Sequence, residues 1–283
     1  MSCEAKETQI RGMTATERYL FDLNGYLIVP GVLSQSEVRE INEVIDRALP
    51  SWDLEARAGF IHTGYDEETT LKGNSDPAGG PVYFYGGLVL DWGAPIRRLV
   101  GHQKILSHLI ELIGPRLRLD HQYAILMKPH DRAGVSHDLH GGGTPYDHSQ
   151  CYEFRNGRFY NGLTVASFAL TDTPAGAGGF CCIPGSHKSN LDLPEEMADL
   201  TRPADCVVQP ALHGGDVLIF TEALTHGCLK WKAEHERRAL LFKYCPGHLQ
   251  WEKGSPFTSK NYEWDEHQRL LLTPPYLGDR PRF

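Results

Sequence analysis

Apolar residues recur at helical spacing in three places along the chain and change to strand-like runs after residue 116. Thr14-Ala15-Thr16-Glu17 has the arrangement in which a hydroxyl and a carboxylate satisfy each other's free amides at a helix start. It opens a segment carrying Tyr19, Leu20 and Leu23 that stops at Asn24-Gly25, a good C-terminal signal. Tyr26-Leu27-Ile28-Val29 then predicts a short strand. Ser34-Gln35-Ser36-Glu37 repeats the capping signal, and Val38, Ile41, Ile45 and Ala48 follow at helical spacing up to Pro50. A third helix is predicted from Lys104 to Ile113, with a buried stripe of Ile105, Leu106, Leu109, Ile110 and Ile113 before Gly114-Pro115.

Residues 51–95 are rich in Gly, Pro, Asp and aromatics without a sustained period, and read as a long loop region with at most short elements. Strands are predicted at Leu117–Met127, Leu163–Leu170, Phe180–Ile183, Cys206–Gln209, Asp216–Phe220 and Arg238–Tyr244, separated by Gly, Pro and Asp turns. Short strands at this spacing predict a sandwich or barrel. From Gly254 onward the prolines among polar and aromatic residues suggest an extended tail laid on the domain.

Composition narrows the class. With 283 residues, 41% hydrophobic and 23% charged, the chain has ample material for a core, and one domain spanning 1–283 is the economical reading. That domain divides into a helical part at about 14–115, a barrel at about 117–250 and the tail at 254–283. A net charge of −8 with no basic cluster argues against nucleic acid. Seven cysteines without a C-x-x-C frame argue against a disulfide scaffold or structural zinc. No apolar stretch suits a signal peptide or membrane span, so a cytoplasmic location without membrane contact is expected.

The chemistry concentrates around two histidines. His140 stands in Ser136-His137-Asp138-Leu139-His140-Gly141-Gly142-Gly143, and His226 in Leu224-Thr225-His226-Gly227-Cys228, with Arg237 eleven positions later. Non-haem iron(II) centres are commonly held by two histidines and one carboxylate on one face, with open positions for a co-substrate and O₂. The glycine run after His140 also looks like an esterase oxyanion loop, but no G-x-S-x-G occurs, and a phosphate-binding P-loop fails because G-K-[ST] is absent.

The stretch Gly214-Gly215-Asp216-Val217-Leu218-Ile219-Phe220, then His226-Gly227, then Arg237-Arg238-Ala239-Leu240 resembles the phytanoyl-CoA dioxygenase family of Fe(II)/2-oxoglutarate oxygenases. Asn24-Gly25-Tyr26-Leu27-Ile28-Val29-Pro30, Ile125-Leu126-Met127-Lys128-Pro129, Gly178-Gly179-Phe180 and Ile183-Pro184-Gly185-Ser186-His187-Lys188 are similar to family segments in the same order. The resemblance implies a mainly β fold with helical additions, a double-stranded β-helix of jelly-roll or cupin-like form with N-terminal helices on one sheet. It implies Fe(II), 2-oxoglutarate and O₂ as cofactors, His140 and His226 as iron ligands, and Arg237 gripping the far carboxylate of 2-oxoglutarate through its planar fork. The alternative for Arg237 is an ion pair with Glu236 or Glu234.

Cys228 falls where several family members place a serine on that same carboxylate. Lys128 and His137 are further candidates for the co-substrate. Tyr123, Tyr146 and Tyr152, with Phe154 and Tyr160, are candidate substrate walls.

The acidic ligand is the departure from the family. Alignment puts it at Gly142. Asp147 is the first choice to replace it, because a glycine run can bend the chain back to the metal. Asp138, two residues before His140 on the same strand face, is another. A vacant position that admits a halide is the third, and Asp147 as a simple turn cap is the plain alternative. The expected reaction is hydroxylation or oxidative demethylation of a small metabolite or natural-product scaffold, with succinate and CO₂ released. A halogenase, or a decayed barrel that only binds, are the competing readings. The absence of a basic cluster argues against a CoA ester.

Overall fold

A computed structural model describes residues 12–48, 82–86, 89–127, 137–141, 146–252, 257–258 and 260–283, with only the backbone described at 82–86, 137 and 138. The local capping and stop signals of the sequence form the N-terminal elements as expected. Thr14 caps α1 (Ala15–Asn24), with Glu17 N donating to its hydroxyl at 3.2 Å and Glu17 Oε2 accepting from Thr14 N at 2.7 Å. Gly25 ends the helix in the left-handed region at φ 79°, and β1 (Tyr26–Val29) follows at once. Ser34 and Glu37 exchange the same pair of bonds at the start of α2 (Gln35–Ala48), which buries Val38, Ile41, Val44, Ile45 and Ala48. α3 (Gln103–Ile113) buries Ile105, Leu106, Leu109, Leu112 and Ile113.

The strands are β2 (Val82–Gly86), β3 (Leu117–Met127), β4 (His137–His140), β5 (Tyr152–Arg155), β6 (Arg158–Asn161), β7 (Thr164–Ala169), β8 (Gly179–Cys182), β9 (Val217–Thr221), β10 (His226–Leu229) and β11 (Arg237–Pro246). Six form one antiparallel sheet in the order β1-β9-β7-β11-β3-β2, three form a second in the order β4-β10-β8, and β5 and β6 make a separate hairpin.

Alternation along the strands gives the large sheet two working faces. Leu27, Ala166, Phe168, Val217, Ile219, Leu240 and Phe242 point one way and join the helices α1, α2 and α3 in one core. Tyr123, Ile125, Met127, Val165, Ala169, Leu218, Phe220, Ala239 and Leu241 point the other way and pack with Phe180 and Cys182 of the small sheet. The site lies on this second face. Parity in β3 switches once: the register with β11 jumps from His121↔Lys243 to Leu119↔Tyr244, leaving Asp120 as the extra residue of a bulge. That carboxylate is buried and accepts from Trp251 N at 2.9 Å and Glu252 N at 3.0 Å, which ties the segment after β11 to the sheet.

Two sequence expectations need correction. Cys206–Gln209 is not a strand; it contributes a single bridge, Val208 to Cys182, because Pro203 and Pro210 flank too short a run for a ladder. The tail is not wholly extended, since α4 (Glu266–Leu272) buries Leu271 behind a capping box of Asp265 and Gln268. Part of the region read as loop, β2, is an edge strand of the large sheet. Among the described residues no helix is long and apolar enough to cross a membrane, and all six described cysteines are free.

Candidate metal and co-substrate site

The small sheet brings the two histidines together. β4 and β10 are antiparallel with His140 directly opposite His226, and the ring centroids are 4.3 Å apart. His226 is buried between Phe220, with centroids at 4.8 Å, and Phe180 at 5.9 Å, whereas His140 is exposed. His226 Nδ1 lies 2.7 Å from the Leu224 carbonyl. A carbonyl can only accept, so Nδ1 carries a proton, and in the neutral ring the lone pair is on Nε2, the atom then free to bind a metal. Gly141 makes this alignment possible: a Cβ there would stand 2.7 Å from the Leu224 carbonyl oxygen, so the chain leaving His140 lies directly against the turn before His226.

Arg237 begins β11 on the same face and is 3% exposed. Its neighbour Arg238 takes the acids, with Nε 2.6 Å from Glu236 and a terminal nitrogen 2.7 Å from Asp46. Among the described residues Arg237 has the Met127 sulfur at 3.5 Å as its one hydrogen-bond partner, and its buried Nε has none. Burial pushes its pKa down, opposed by the nearby Cys228. The Cys228 thiol is raised by burial and drawn back by Arg237, which fixes the two as neighbours. The side chain of Arg237 runs over Gly179, where a Cβ would meet its Nε at 2.7 Å and its Cδ at 2.9 Å. A buried guanidinium with no acid partner among the described residues, packed over the small sheet that also carries the two imidazoles, makes a donor set that suits iron(II) and a dicarboxylate.

The other predicted residues fall in different places. Tyr123 is buried on the site face, and Lys243 Nζ lies 5.3 Å from its ring centroid. Lys128, Gly142 and the side chains of His137 and Asp138 lie outside the described residues.

Asp147 is a turn cap: its Oδ1 accepts from Ser149 N and Ser149 Oγ, both at 2.7 Å, so the chain after the glycines is used for local closure. Tyr146 is 54% exposed and donates to Glu153 at 3.2 Å, because the hairpin it touches projects into solvent. Phe154 and Tyr160 are exposed there as well. Tyr152 packs into the helix-side core against Phe21 and His187 and donates to Asp22, so it pins the hairpin to α1. Among the described residues no three His, Cys, Asp or Glu side chains stand together as a ready metal cage.

Sequence reasoning missed a buried ion pair on the site face. Glu222 continues the inward parity of Leu218 and Phe220, Lys243 continues that of Ala239 and Leu241, and Glu222 Oε1 is 3.0 Å from Lys243 Nζ. Burial alone would raise the Glu222 pKa; Lys243, His226 and His140 together hold it well below the usual carboxylate range. Burial opposes the charge on Lys243, and Glu222 restores it and raises its pKa. The legible signal was a charged residue at an inward position of an otherwise apolar strand.

Two packed antiparallel sheets with a histidine pair and a buried arginine between them define a scaffold of the iron and 2-oxoglutarate oxygenase type. The chain belongs to the phytanoyl-CoA dioxygenase (PhyH) family, whose profile matches residues 21–239. No curated protein sequence matches the chain.

Solved structures share the fold. HygX from Streptomyces hygroscopicus, with nickel, 2-oxoglutarate and hygromycin B bound, is 23% identical over 87% of this chain and 93% of its own, with a TM-score of 0.65. The epimerase SnoN, in complex with Fe3+, alpha ketoglutarate and nogalamycin RO, is 21% identical over 94% of this chain and 96% of its own at 0.62. The carbocyclase SnoK from nogalamycin biosynthesis is 19% identical over 94% of each chain at 0.60. The iron and 2-oxoglutarate expected from the sequence agree with what these structures hold.

Proposed function

We propose that the protein is a non-haem Fe(II)/2-oxoglutarate-dependent dioxygenase that oxidises a C–H bond of a small metabolite or natural-product scaffold. The observation that carries this reading is Arg237: a buried guanidinium without an acid partner among the described residues, packed against the sheet that pairs His140 with His226. Leaving a charge in that state costs several kcal/mol, and a dicarboxylate removes the cost. We take the two sheets as the halves of a double-stranded β-helix, and residues 1–283 as one domain built on it.

In this reading His140 and His226 hold the iron, His226 in the tautomer set by Leu224. Arg237 orients the co-substrate through its far carboxylate, with Cys228 alongside. Iron with 2-oxoglutarate and O₂ supplies oxidation of an unactivated C–H bond, with release of succinate and CO₂. Phe180 and Phe220 keep water from the His226 side, while exposed His140 marks the side from which substrate arrives. HygX and SnoN are solved with hygromycin B and nogalamycin RO, which favours a natural-product scaffold over an acyl-CoA.

The test is anaerobic titration with Fe(II) and 2-oxoglutarate, followed by the metal-to-ligand charge-transfer band, with succinate measured after O₂ is admitted. A band that disappears in His226→Ala is expected. No band in the natural sequence, with no succinate, would overturn the proposal.

A further inference from the structure

The family's acidic iron ligand aligns with a glycine in this chain, and the first replacement suggested by the sequence, Asp147, has a carboxylate oxygen engaged by Ser149. We infer that Glu222 supplies the carboxylate of the metal centre, turning to the iron from its ion pair with Lys243. The inference rests on the assignment of His140 and His226 as iron ligands.

Four observations converge on it. Glu222 is 5% exposed and points to the face that carries the site, two positions beyond Phe220, whose ring packs on His226 at 4.8 Å. The step from Glu222 to His226 is held in place: Glu222 N donates to Leu163 O at 3.0 Å, Leu224 N to Thr221 O at 3.0 Å, and Thr225 N to Ser186 Oγ at 2.8 Å. The chain leaving His140 lies against the same turn, since Gly141 abuts the Leu224 carbonyl. The Glu222 carboxylate also lies 3.0 Å from Lys243 Nζ, an ion pair that holds it in the charged form a metal binds.

A buried carboxylate that stays charged next to two metal-binding imidazoles is what a divalent cation requires. Lys243 explains how the acid is tolerated before metal arrives. It neutralises Glu222 at 3.0 Å and packs between Tyr123 and Trp251, with its Nζ 5.3 and 5.8 Å from their ring centroids. Glu222 can exchange this partner for a metal, because a flexible lysine stem can keep its charge on the two aromatic faces when the carboxylate turns away.

Metal affinity, not turnover, tests the idea. Co(II) and Fe(II) are titrated anaerobically into the full chain by calorimetry, with circular dichroism to confirm folding. Glu222→Gln combined with Lys243→Met removes both charges of the pair and keeps the volume. If Glu222 is only the counter-ion of Lys243, this protein binds metal like the natural sequence. If Glu222 is a ligand, affinity falls by about 100-fold or more, whereas Lys243→Met alone binds metal at least as tightly as the natural sequence.

Should the doubly neutral protein fail to fold, Glu222→Asp preserves the charge opposite Lys243 while shortening its reach. A weakening of about tenfold or more, with an altered Co(II) visible spectrum, is expected, and unchanged affinity and spectrum overturn the inference. His226→Ala separates the two levels. If it binds metal like the natural sequence, the histidine assignment itself fails; if it loses metal while the Glu222 variants keep it, only the role of Glu222 fails.

Discussion

Replacing Arg237 by methionine should make the protein more stable and worse at binding its co-substrate. The guanidinium is 3% exposed, and among the described residues its Nε has no hydrogen-bond partner and its one polar contact is the Met127 sulfur at 3.5 Å. A charge in that setting is a net cost to the ligand-free fold. Methionine fills much of the same volume beside Met127 and Gly179 without that penalty, and replacements of buried charge by packed apolar groups stabilise by about 1–4 kcal/mol. For a chain of this size that is a rise in melting temperature of roughly 2–10 °C.

The ligand side has the opposite sign. A buried arginine facing a carboxylate is worth about 2–5 kcal/mol by truncation, so 2-oxoglutarate should bind roughly 30-fold to a few thousand-fold more weakly.

Calorimetric melting without and with metal plus 2-oxoglutarate reads both effects in one experiment. In the natural sequence the co-substrate at about 100 times its dissociation constant adds about 2.7 kcal/mol; in Arg237→Met at the same concentration, with binding about 30-fold or more weaker, it should add less than about 1 kcal/mol. Adding the co-substrate should therefore raise the natural sequence relative to the variant by about 2 kcal/mol or more. Arg237→Lys keeps the charge but loses the planar fork, and should bind between the two. If Arg237→Met melts below the natural sequence without ligand and still binds 2-oxoglutarate equally well, the arginine is a structural residue and the reasoning fails.

Gly179→Ala places a Cβ 2.7 Å from Arg237 Nε on a backbone at φ 79°; it should raise the KM for 2-oxoglutarate and cost about 1 kcal/mol or more in stability, read by kinetics and denaturant unfolding. His187 is held neutral by burial, with its pKa pushed down to about 4, while the unfolded chain takes up that proton near 6.5. Between those values the unfolded state binds more protons, so stability should fall as the pH drops from about 6.5 to about 4, by roughly 2–3 kcal/mol, and His187→Asn should flatten that slope in pH-dependent unfolding. Tyr152→Phe loses the hydroxyl that donates to Asp22 and should cost about 1–2 kcal/mol in unfolding while leaving calorimetric metal affinity unchanged. Asp147→Asn weakens the cap on Ser149 and should likewise leave metal affinity as it was; a loss of binding would restore the residue as a ligand.

Local rules made much of the scaffold legible. The two capping boxes, the stop at Gly25 and the apolar stripe of α3 are interactions between residues three or four apart, so the sequence contains both partners. β3, at Leu117–Met127, matched to the residue because Gly114-Pro115 and Pro129 bound the run on either side. Failure came where pairing is non-local. β4 and β10 are short and their composition is that of loops, while β2 is a run of strand formers hidden between Gly79-Gly80-Pro81 and Gly86-Gly87; a partner strand far along the chain completes each of them. Cys206–Gln209 had the composition and lacked the partner. The capping box Asp265-Glu266-His267-Gln268 was available as a signal and was outweighed by the prolines around it.

The site divides along the same line, for a reason that concerns charge. His140, His226 and Arg237 could be named because each sits in a run of neighbours that resembles the family. Glu222 and Lys243 could be found only by asking why an inward strand position is charged. A strand that reads Leu218, Phe220, Glu222 on one face meets one that reads Ala239, Leu241, Lys243, and the two charges meet at 3.0 Å where both apolar rows end. Had the pair served stability alone, apolar residues of similar size would do as well or better. Arg237, at the other end of β11, raises the same question with no acid partner among the described residues. Three buried charges on one face of a folded domain, two mutually paired and one waiting, are costly as architecture; a cation held by imidazoles and an anion brought in with it offset that cost, because each gives one of those charges a partner.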